Sequence, residues 1–129
     1  MAELRSHRVA RAAFEAVDAR RGSPFRKPYV ALLKGAPGMI LVNGLAQTSG
    51  FMLAKAREEH LALHEDLRSV LAAAGTTRAQ SARALHAEII DADFARTMRL
   101  TRSALEACTW MRRYAQGAFI DDGEKATSQ

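Results

Sequence analysis

The 129-residue sequence has little of what common enzyme classes require and few residues that interrupt helices. It contains one cysteine, three prolines and eight glycines. A single cysteine excludes an internal disulfide, and scarce proline and glycine favour helix formation. No glycine-rich phosphate loop follows a strand pattern, no serine elbow is present, and no cysteines have the spacing of zinc ligands. We therefore predict no catalytic residues, no metal and no cofactor.

Long uninterrupted apolar runs are also missing. The longest apolar stretch, Tyr29–Lys55, is interrupted by glycine, proline, asparagine and glutamine. It cannot supply the roughly 20 consecutive apolar residues that span a membrane. The N-terminus begins with charged residues instead of an apolar run, so we expect no signal peptide. Together with the single cysteine, these features predict a cytoplasmic protein without a membrane partner.

Positive charge is present in excess. Nineteen Lys and Arg residues against fourteen Asp and Glu give a formal net charge of +5. Residues 121–129 contribute −2, so residues 1–120 carry +7. An excess of this size favours a polyanionic partner without identifying it. We expect residues 121–129 to be a disordered polar tail.

Apolar periodicity predicts an all-α, single-domain helical bundle of about five to six helices over residues 1–120. The Thr77 and Gln80 pair matches a capping box, and Asp93 is a good N-cap for the last helix. Gly75 is placed to cap a helix C-terminus in the left-handed conformation. The helices expected outside the central apolar stretch are Glu3–Arg21, Arg57–Ala74, Thr77–Ile90 and Phe94–Phe119.

The central apolar stretch is compatible with two structures. As a helix, it is entered through residues 35–38, with Pro37 in the first turn. As two strands, it contains Asn43-Gly44, a favoured type I′ turn dipeptide. The helix is favoured because no other segment offers a strand, and an isolated hairpin is marginally stable. In the helix, Asn43 and Gln47 share one side, where they either pin core backbone or meet another subunit.

Two groups of basic residues are candidate phosphate ligands. The first belongs to the connection between the first two helices and comprises Arg20, Arg21, Arg26 and Lys27, followed by Lys34. It is either a solvated loop or a phosphate-contacting loop. The second comprises Arg99, Arg102 and Arg113 on the polar side of the last helix, which also carries Arg96. Trp110 and Tyr114 share that side, where they either stack on bases or pack against a neighbouring helix or partner protein.

The histidines and the cysteine are weaker candidates. His60 and His64 have the i,i+4 spacing of a zinc pair, but the glutamate of HExxH and a third ligand are missing. We expect a surface histidine pair. Cys108 falls on the apolar side of the last helix and is expected to be a core thiol. A small helical enzyme using His60, His64 or His86 remains an alternative hypothesis.

Three segments of the sequence resemble the small helical subunit of the type III-B CRISPR effector, the Cmr complex. The order and spacing hold from about residue 8 to residue 118. The central segment is the most specific of the three. The segments are RAAFEAV at Arg11–Val17; Tyr29-Val30 with Pro37-Gly38-Met39-Ile40 and Asn43-Gly44-Leu45-Ala46-Gln47; and Thr101–Leu105 followed by Trp110–Arg113.

The resemblance implies a helix through Asn43-Gly44 and a non-catalytic subunit for antiviral defence. Such subunits stack into a filament beside the guide RNA and help to hold the target single-stranded RNA, so we expect as partners other Cmr subunits, further copies of the chain, and RNA. We expect the isolated chain to be a monomer or weakly self-associating.

The positive charge is mostly arginine where relatives use more lysine, and the tail is acidic, which puts a C-terminal RNA contact in doubt. The expected RNA-binding residues are Arg20, Arg21, Arg26, Lys27, Lys34, Arg99, Arg102 and Arg113. The expected subunit-interface residues are Asn43, Gln47, Trp110 and Tyr114.

A helical DNA-binding transcriptional regulator is the main alternative, because basic helical bundles commonly serve that role. It requires a recognition helix and usually a symmetric dimer.

Overall fold

The computed structural model describes residues 4–117, and its regular structure consists of six helices. No strand occurs in that range, so the predicted all-α bundle is confirmed. The helices are α1 (Arg5–Ala19), α2 (Arg26–Asn43), α3 (Leu45–Lys55), α4 (Glu58–Ala73), α5 (Ala82–Asp91) and α6 (Phe94–Ala115).

Four helices, α1, α2, α4 and α6, surround the main core, while α3 and α5 pack beside α4 and against each other. Helices α1 and α6 run in the same direction, because Arg5 contacts Glu106 and Phe14 contacts Tyr114 farther along both. Helix α4 runs the opposite way: Arg8 Nε donates to the Ala73 carbonyl oxygen at 3.2 Å. The N-terminal end of α1 therefore lies beside the C-terminal end of α4.

Apolar side chains at helical spacing explain this packing. Helix α1 buries Val9, Ala13 and Val17, which recur every four residues and form one stripe. The largest fully buried side chains also include Tyr29, Leu33, Ile40, Met52, Leu63, Leu71, Leu100 and Met111. Complete burial of each large apolar side chain contributes about 1.5–3 kcal/mol. Cys108 lies in this core as expected, and burial raises the pKa of its thiol to about 12.

Helix α2 begins much earlier than predicted. The expected entry at residues 35–38 is wrong, because the helix starts at Arg26 and Pro37 lies in its interior. An interior proline lacks the N–H for the fourth carbonyl before it and costs about 3 kcal/mol. Burial of apolar side chains before and after Pro37 offsets that cost, because Leu33, Ala36 and Ile40 form one core-facing stripe that continues past the proline.

The prediction of one helix through Asn43-Gly44 is wrong in detail, although no hairpin forms. Asn43 is the last residue of α2, and the chain breaks at Gly44, with φ 88° and ψ 158°, before α3 begins at Leu45. Gly44 serves both helices: its N–H donates to the Ile40 carbonyl at 2.9 Å, and its carbonyl accepts from Thr48 N at 3.1 Å. Periodicity did not reveal the break because the residues on both sides are apolar and helical.

The connection from α4 to α5 is only partly as predicted. Gly75 has φ 78° and caps α4, with Gly75 N donating to Ala72 O and Thr76 N to Leu71 O, a Schellman arrangement. The capping box at Thr77 is wrong. Ser81 is the N-cap of α5, and its hydroxyl accepts from Ala84 N at 3.0 Å.

The start of α6 is confirmed, because the Asp93 carboxylate accepts from Arg96 N at 2.8 Å. The α-helix extends through Ala115. Its predicted end at Phe119 and the polar tail at 121–129 lie outside the described residues.

We expect Gly44→Ala to lower the free energy of unfolding by about 1–3 kcal/mol. The φ and ψ of Gly44 lie in a region that is essentially restricted to glycine, although a Cβ there meets no atom within 4 Å. Gly35→Ala is the matched control. Gly35 is helical and equally open, so alanine should raise stability by up to about 1 kcal/mol. Urea denaturation measures both, and equal effects would contradict the backbone explanation.

Candidate nucleic-acid interface

A stripe of polar side chains runs along the outer side of α6. Arg99, Arg102, Glu106, Trp110 and Arg113 follow one another at steps of three or four residues, which places them on one helical face. The three arginines are exposed. The stripe from the first to the last is about 21 Å long at a rise of 1.5 Å per residue. One face of α6 therefore carries three of the predicted RNA-binding residues, Arg99, Arg102 and Arg113.

A concave site, which we call the α6 cleft, lies at the N-terminal half of this stripe. It has a volume of about 370 Å³ and lies between α6, the start of α1 and the turn after α4. Two ion pairs secure its walls. Arg5 Nη1 contacts Glu106 Oε1 at 2.9 Å, and Arg96 donates to both Glu88 and the Thr76 carbonyl. The polar side chains that line the cleft belong to Arg5, Thr76, Arg96, Arg99, Arg102, Ser103 and Glu106.

The basic group between α1 and α2 lies at the opposite end of α1 from the α6 cleft. Arg21, Arg26 and Lys27 line one shallow depression around the loop between α1 and α2. Arg113 lies at the same end of the bundle, because it lines a cleft together with Asp18 in the last turn of α1. The predicted phosphate ligands therefore form two groups at the two ends of the α6 stripe.

Arg20 does not share the environment of its neighbours in the sequence. Its Nη2 and Nε atoms donate to the two carboxylate oxygens of Asp66 at 2.7 and 3.0 Å. The Tyr29 hydroxyl also donates to Asp66, at 2.6 Å, and burial raises the pKa of that phenol. The hydrogen bond to Asp66 likewise raises the pKa of Arg20. The structure gives Arg20 an intramolecular partner, while its predicted phosphate contact stays a prediction.

Lys34 stands apart from both groups. It lies on the exposed side of α2, two helical turns after Lys27, or about 10 Å along the axis. It therefore extends the basic loop along α2, away from the start of that helix.

Trp110 of the α6 stripe belongs to a group of aromatic side chains that pack against each other. The Trp110 and Tyr114 rings stack at a centroid distance of 6.0 Å, and Phe14 meets Tyr114 edge-on at 5.4 Å. Arg113 lies over the Trp110 ring at 5.6 Å. Trp110 and Tyr114 are both partly buried against the core. This arrangement favours packing over base stacking and leaves part of each ring at the surface.

Asn43 and Gln47 lie at the corner between α2 and α3, and both are exposed. The alternative in which they pin core backbone is therefore wrong. Two apolar residues at the same corner, Leu41 and Val42, are 71% and 83% exposed. The corner therefore combines amide groups with exposed apolar surface.

The expected surface histidine pair is wrong, because His60 and His64 are buried. His64 Nε2 lies 2.8 Å from the Ser49 hydroxyl, and His86 Nδ1 lies 3.0 Å from the same hydroxyl. His64 Nδ1 has no partner within residues 4–117. A proton on Nε2 leaves no buried N–H unpaired, so we assign that tautomer. Ser49 lies in an apolar stretch of the sequence, and nothing in the sequence indicated its contact with the two histidines.

Burial, with a smaller contribution from the nearby His86, lowers the pKa of His64 to about 4, while Glu65 opposes the shift. The contacts of Ser49 with His64 and His86 join α3, α4 and α5, and the His64 ring is neutral. In the range the structure describes, no three metal-binding side chains come together. Likewise, none of the helices between residues 4 and 117 has the length and apolarity needed to cross a bilayer.

The sequence profile of the CRISPR-associated protein family Cas_Cmr5 matches residues 5–118 of the chain. The chain belongs to this Cmr5 family. The match covers all six helices of the described structure, so the resemblance drawn from sequence segments is confirmed at the level of the family.

Two relatives of the Cmr5 family illustrate the similarity. The CRISPR system Cmr subunit Cmr5 of Thermus thermophilus is 30% identical over 118 residues, which cover 92% of this chain and 97% of that protein. The crystal structure of a CRISPR-associated Cmr5 family protein from Thermus thermophilus superposes with a TM-score of 0.80 at 29% identity. The superposition covers 90% of this chain and 98% of the other.

The buried histidine predicts that stability falls as the pH drops from about 6.5 towards 4. Below its ordinary pKa, His64 binds a proton in the unfolded chain but stays neutral in the folded one. Each pH unit in this window therefore removes up to ~1.4 kcal/mol of the free energy of unfolding. Chemical denaturation at several pH values measures the effect.

His64→Gln removes the titrating ring and should flatten this pH dependence relative to the unmodified chain. His7→Gln, at an exposed site on α1, is the matched control and should leave the dependence unchanged. The same slope in the His64 variant and the unmodified chain would contradict the assignment.

Proposed function

We propose that the chain is a non-catalytic small subunit of a type III-B CRISPR RNA-guided RNA-targeting complex for antiviral defence. In this proposal, copies of the chain stack into a filament, and the basic face of α6 together with the α1–α2 loop binds target RNA. The observation that carries the proposal is the family match over residues 5–118, combined with the exposed arginines along α6.

The basic residues are suited to sequence-independent binding. Arg99, Arg102 and Arg113 extend along one side, so they can follow a phosphate backbone, whereas base pairing with the guide would read the sequence. The family match favours this function over the alternative of a DNA-binding regulator.

The geometry around Ser49 supports a structural role for the histidines. The serine hydroxyl and the imidazole of His64 have the residue types of a nucleophile and its base. Ser49 is only 3% exposed and His64 only 2%, so a substrate cannot reach either group in this conformation. The small-enzyme hypothesis therefore gains no accessible site here.

Two surfaces are proposed for contacts with other subunits or with further copies. One is the α2–α3 corner, defined by Leu41, Val42, Asn43 and Gln47. The other is the exposed part of Trp110 and Tyr114. Exposed Leu41 and Val42 support the first surface, because their burial in a complex would remove apolar area from water. Trp110 and Tyr114 belong to residue types that are enriched at interfaces.

Neutralising the α1–α2 loop should weaken RNA binding and its salt dependence. If Arg26 and Lys27 each contact one phosphate, Arg26→Gln/Lys27→Gln should reduce the slope of log affinity against log salt by about 1.4. Fluorescence anisotropy with labelled oligouridylate provides the measurement. Arg78→Gln/Arg83→Gln removes the same charge from exposed sites near α5 and is the control. An unchanged slope would remove the loop from the RNA-binding surface.

Disrupting the α2–α3 corner should impair assembly without unfolding the chain. Val42→Arg/Gln47→Arg should weaken incorporation into the reconstituted Cmr complex about tenfold or more, corresponding to at least ~1.4 kcal/mol. Both sites are exposed, so the melting temperature should stay unchanged. Leu61→Arg, at a partly exposed site on α4, is the control. Normal incorporation of the corner variant would show that this surface faces solvent in the complex.

A further inference from the structure

The α6 cleft contains two positive charges that no acidic side chain neutralises within residues 4–117. Four arginines and one glutamate line it. Arg5 pairs with Glu106, and Arg96 pairs with Glu88 from α5 and with the carbonyl of Thr76. Neither Arg99 nor Arg102 has an ion pair or hydrogen bond in that range. The cleft therefore contains two arginines that are held in ion pairs and two that have no partner among the described residues.

The positions of these two arginines suit a single bound anion. Residues three apart on a helix have Cβ atoms about 5–6 Å apart. Because the two side chains are neighbours on one helical face, their positive charges repel each other, and one anion between them would replace the repulsion with two attractions. Each guanidinium offers several N–H donors in a planar fork, which matches phosphate and carboxylate oxygens.

The hydroxyl groups of the cleft favour phosphate over carboxylate. Thr76 Oγ1 and Ser103 Oγ lie 2.8 Å apart, and one hydroxyl proton remains after they bond to each other. The cleft therefore offers donors from two guanidinium groups and one hydroxyl. A tetrahedral phosphate can accept from three separate side chains at once, whereas a planar carboxylate presents only two oxygens in one plane.

We propose that the α6 cleft is a phosphate-binding pocket that holds one phosphodiester of single-stranded RNA between Arg99 and Arg102. This inference rests on the proposed function and assigns its principal anchoring site. The cleft volume of about 370 Å³ is at the small end of ligand pockets. It suits one nucleotide unit of an extended strand whose neighbouring units continue along the α6 stripe.

Arg5 is a positioning residue in this pocket. Glu106 follows Arg102 by four residues, a spacing at which opposite charges pair on a helix. In the structure, Arg5 Nη1 instead donates to both Glu106 oxygens, at 2.9 and 3.2 Å. By engaging Glu106, Arg5 keeps Arg102 available for the phosphate. Loss of Arg5 would free Glu106 to neutralise Arg102.

The first experiment measures binding of labelled decauridylate to the full chain over a range of salt concentrations. Arg99→Gln/Arg102→Gln should lower the affinity at least tenfold at low salt. The salt slope should decrease by about 0.7, the value for one phosphate on a single strand. Arg78→Gln/Arg83→Gln is the charge-matched control. An affinity equal to that of the control overturns the proposal, and a slope change near 1.4 overturns the shared phosphate.

The second experiment tests Arg5 separately from net charge. Arg5→Gln should weaken decauridylate binding, and adding Glu106→Gln should restore it to within about twofold. Arg5→Gln/Glu58→Gln has the same net charge, but Glu58 is exposed at the start of α4, away from the cleft. Equal recovery in both double variants would show that only overall charge matters and would overturn the positioning role.

A third measurement separates failure of this pocket from failure of the proposed function. Arginine Nε resonances of the full chain are followed by NMR during titration with inorganic phosphate, decauridylate or hexaglutamate. Shifts of Arg99 and Arg102 with inorganic phosphate, without any decauridylate binding, would support an anion pocket and overturn the RNA function. Decauridylate binding that depends on Arg26 and Lys27 alone would overturn only the pocket. Tighter binding of hexaglutamate would identify an acidic protein segment as its occupant and overturn the RNA assignment.

Discussion

The buried carboxylate of Asp66 is the interaction on which the arrangement of the main helices depends. Its oxygens accept two hydrogen bonds from Arg20 and one from Tyr29, so a single group joins α4 to the end of α1 and the start of α2. A buried charge is costly without such partners, and removing one typically destabilises a protein by about 3–5 kcal/mol. This junction fixes the direction in which the basic α1–α2 loop leaves the bundle. The chain thus uses one arginine of a basic cluster for folding and leaves its neighbours at the surface.

The arginines around α6 also fall into two groups, those that form ion pairs between helices and those without one among the described residues. Arg96 and Arg5 are held by Glu88 and Glu106, and they join α6 to α5 and α1. Arg99 and Arg102, on the same helix, have no such partners within residues 4–117. Partial burial opposes ionisation of Glu88, but hydrogen bonds from Arg96 and Thr77 lower its pKa. The paired residues support the shape of the cleft, and the unpaired ones give it a net positive charge.

The interior is held partly by polar contacts that apolar periodicity does not reveal. Ser49 connects His64 and His86, and Thr77 connects Glu88 to the backbone of Ala79. The sequence analysis predicted Thr77 as a helix cap and assigned no role to Ser49. The error has one cause: hydrogen bonds between residues far apart in sequence depend on which helices become neighbours.

The sequence by itself determined the fold class, the family and the identity of the charged residues. Helical periodicity and local signals such as Gly75 and Asp93 act within a few residues, so they can be recognised without knowing the tertiary structure. Only the tertiary structure decided the role of each side chain. It assigned Arg20 to Asp66, buried the histidines and exposed Asn43, because burial and ion pairing depend on contacts between distant segments. It also placed the helix break at Gly44 and carried α2 through Pro37, since core packing on both sides outweighed the local preference of proline.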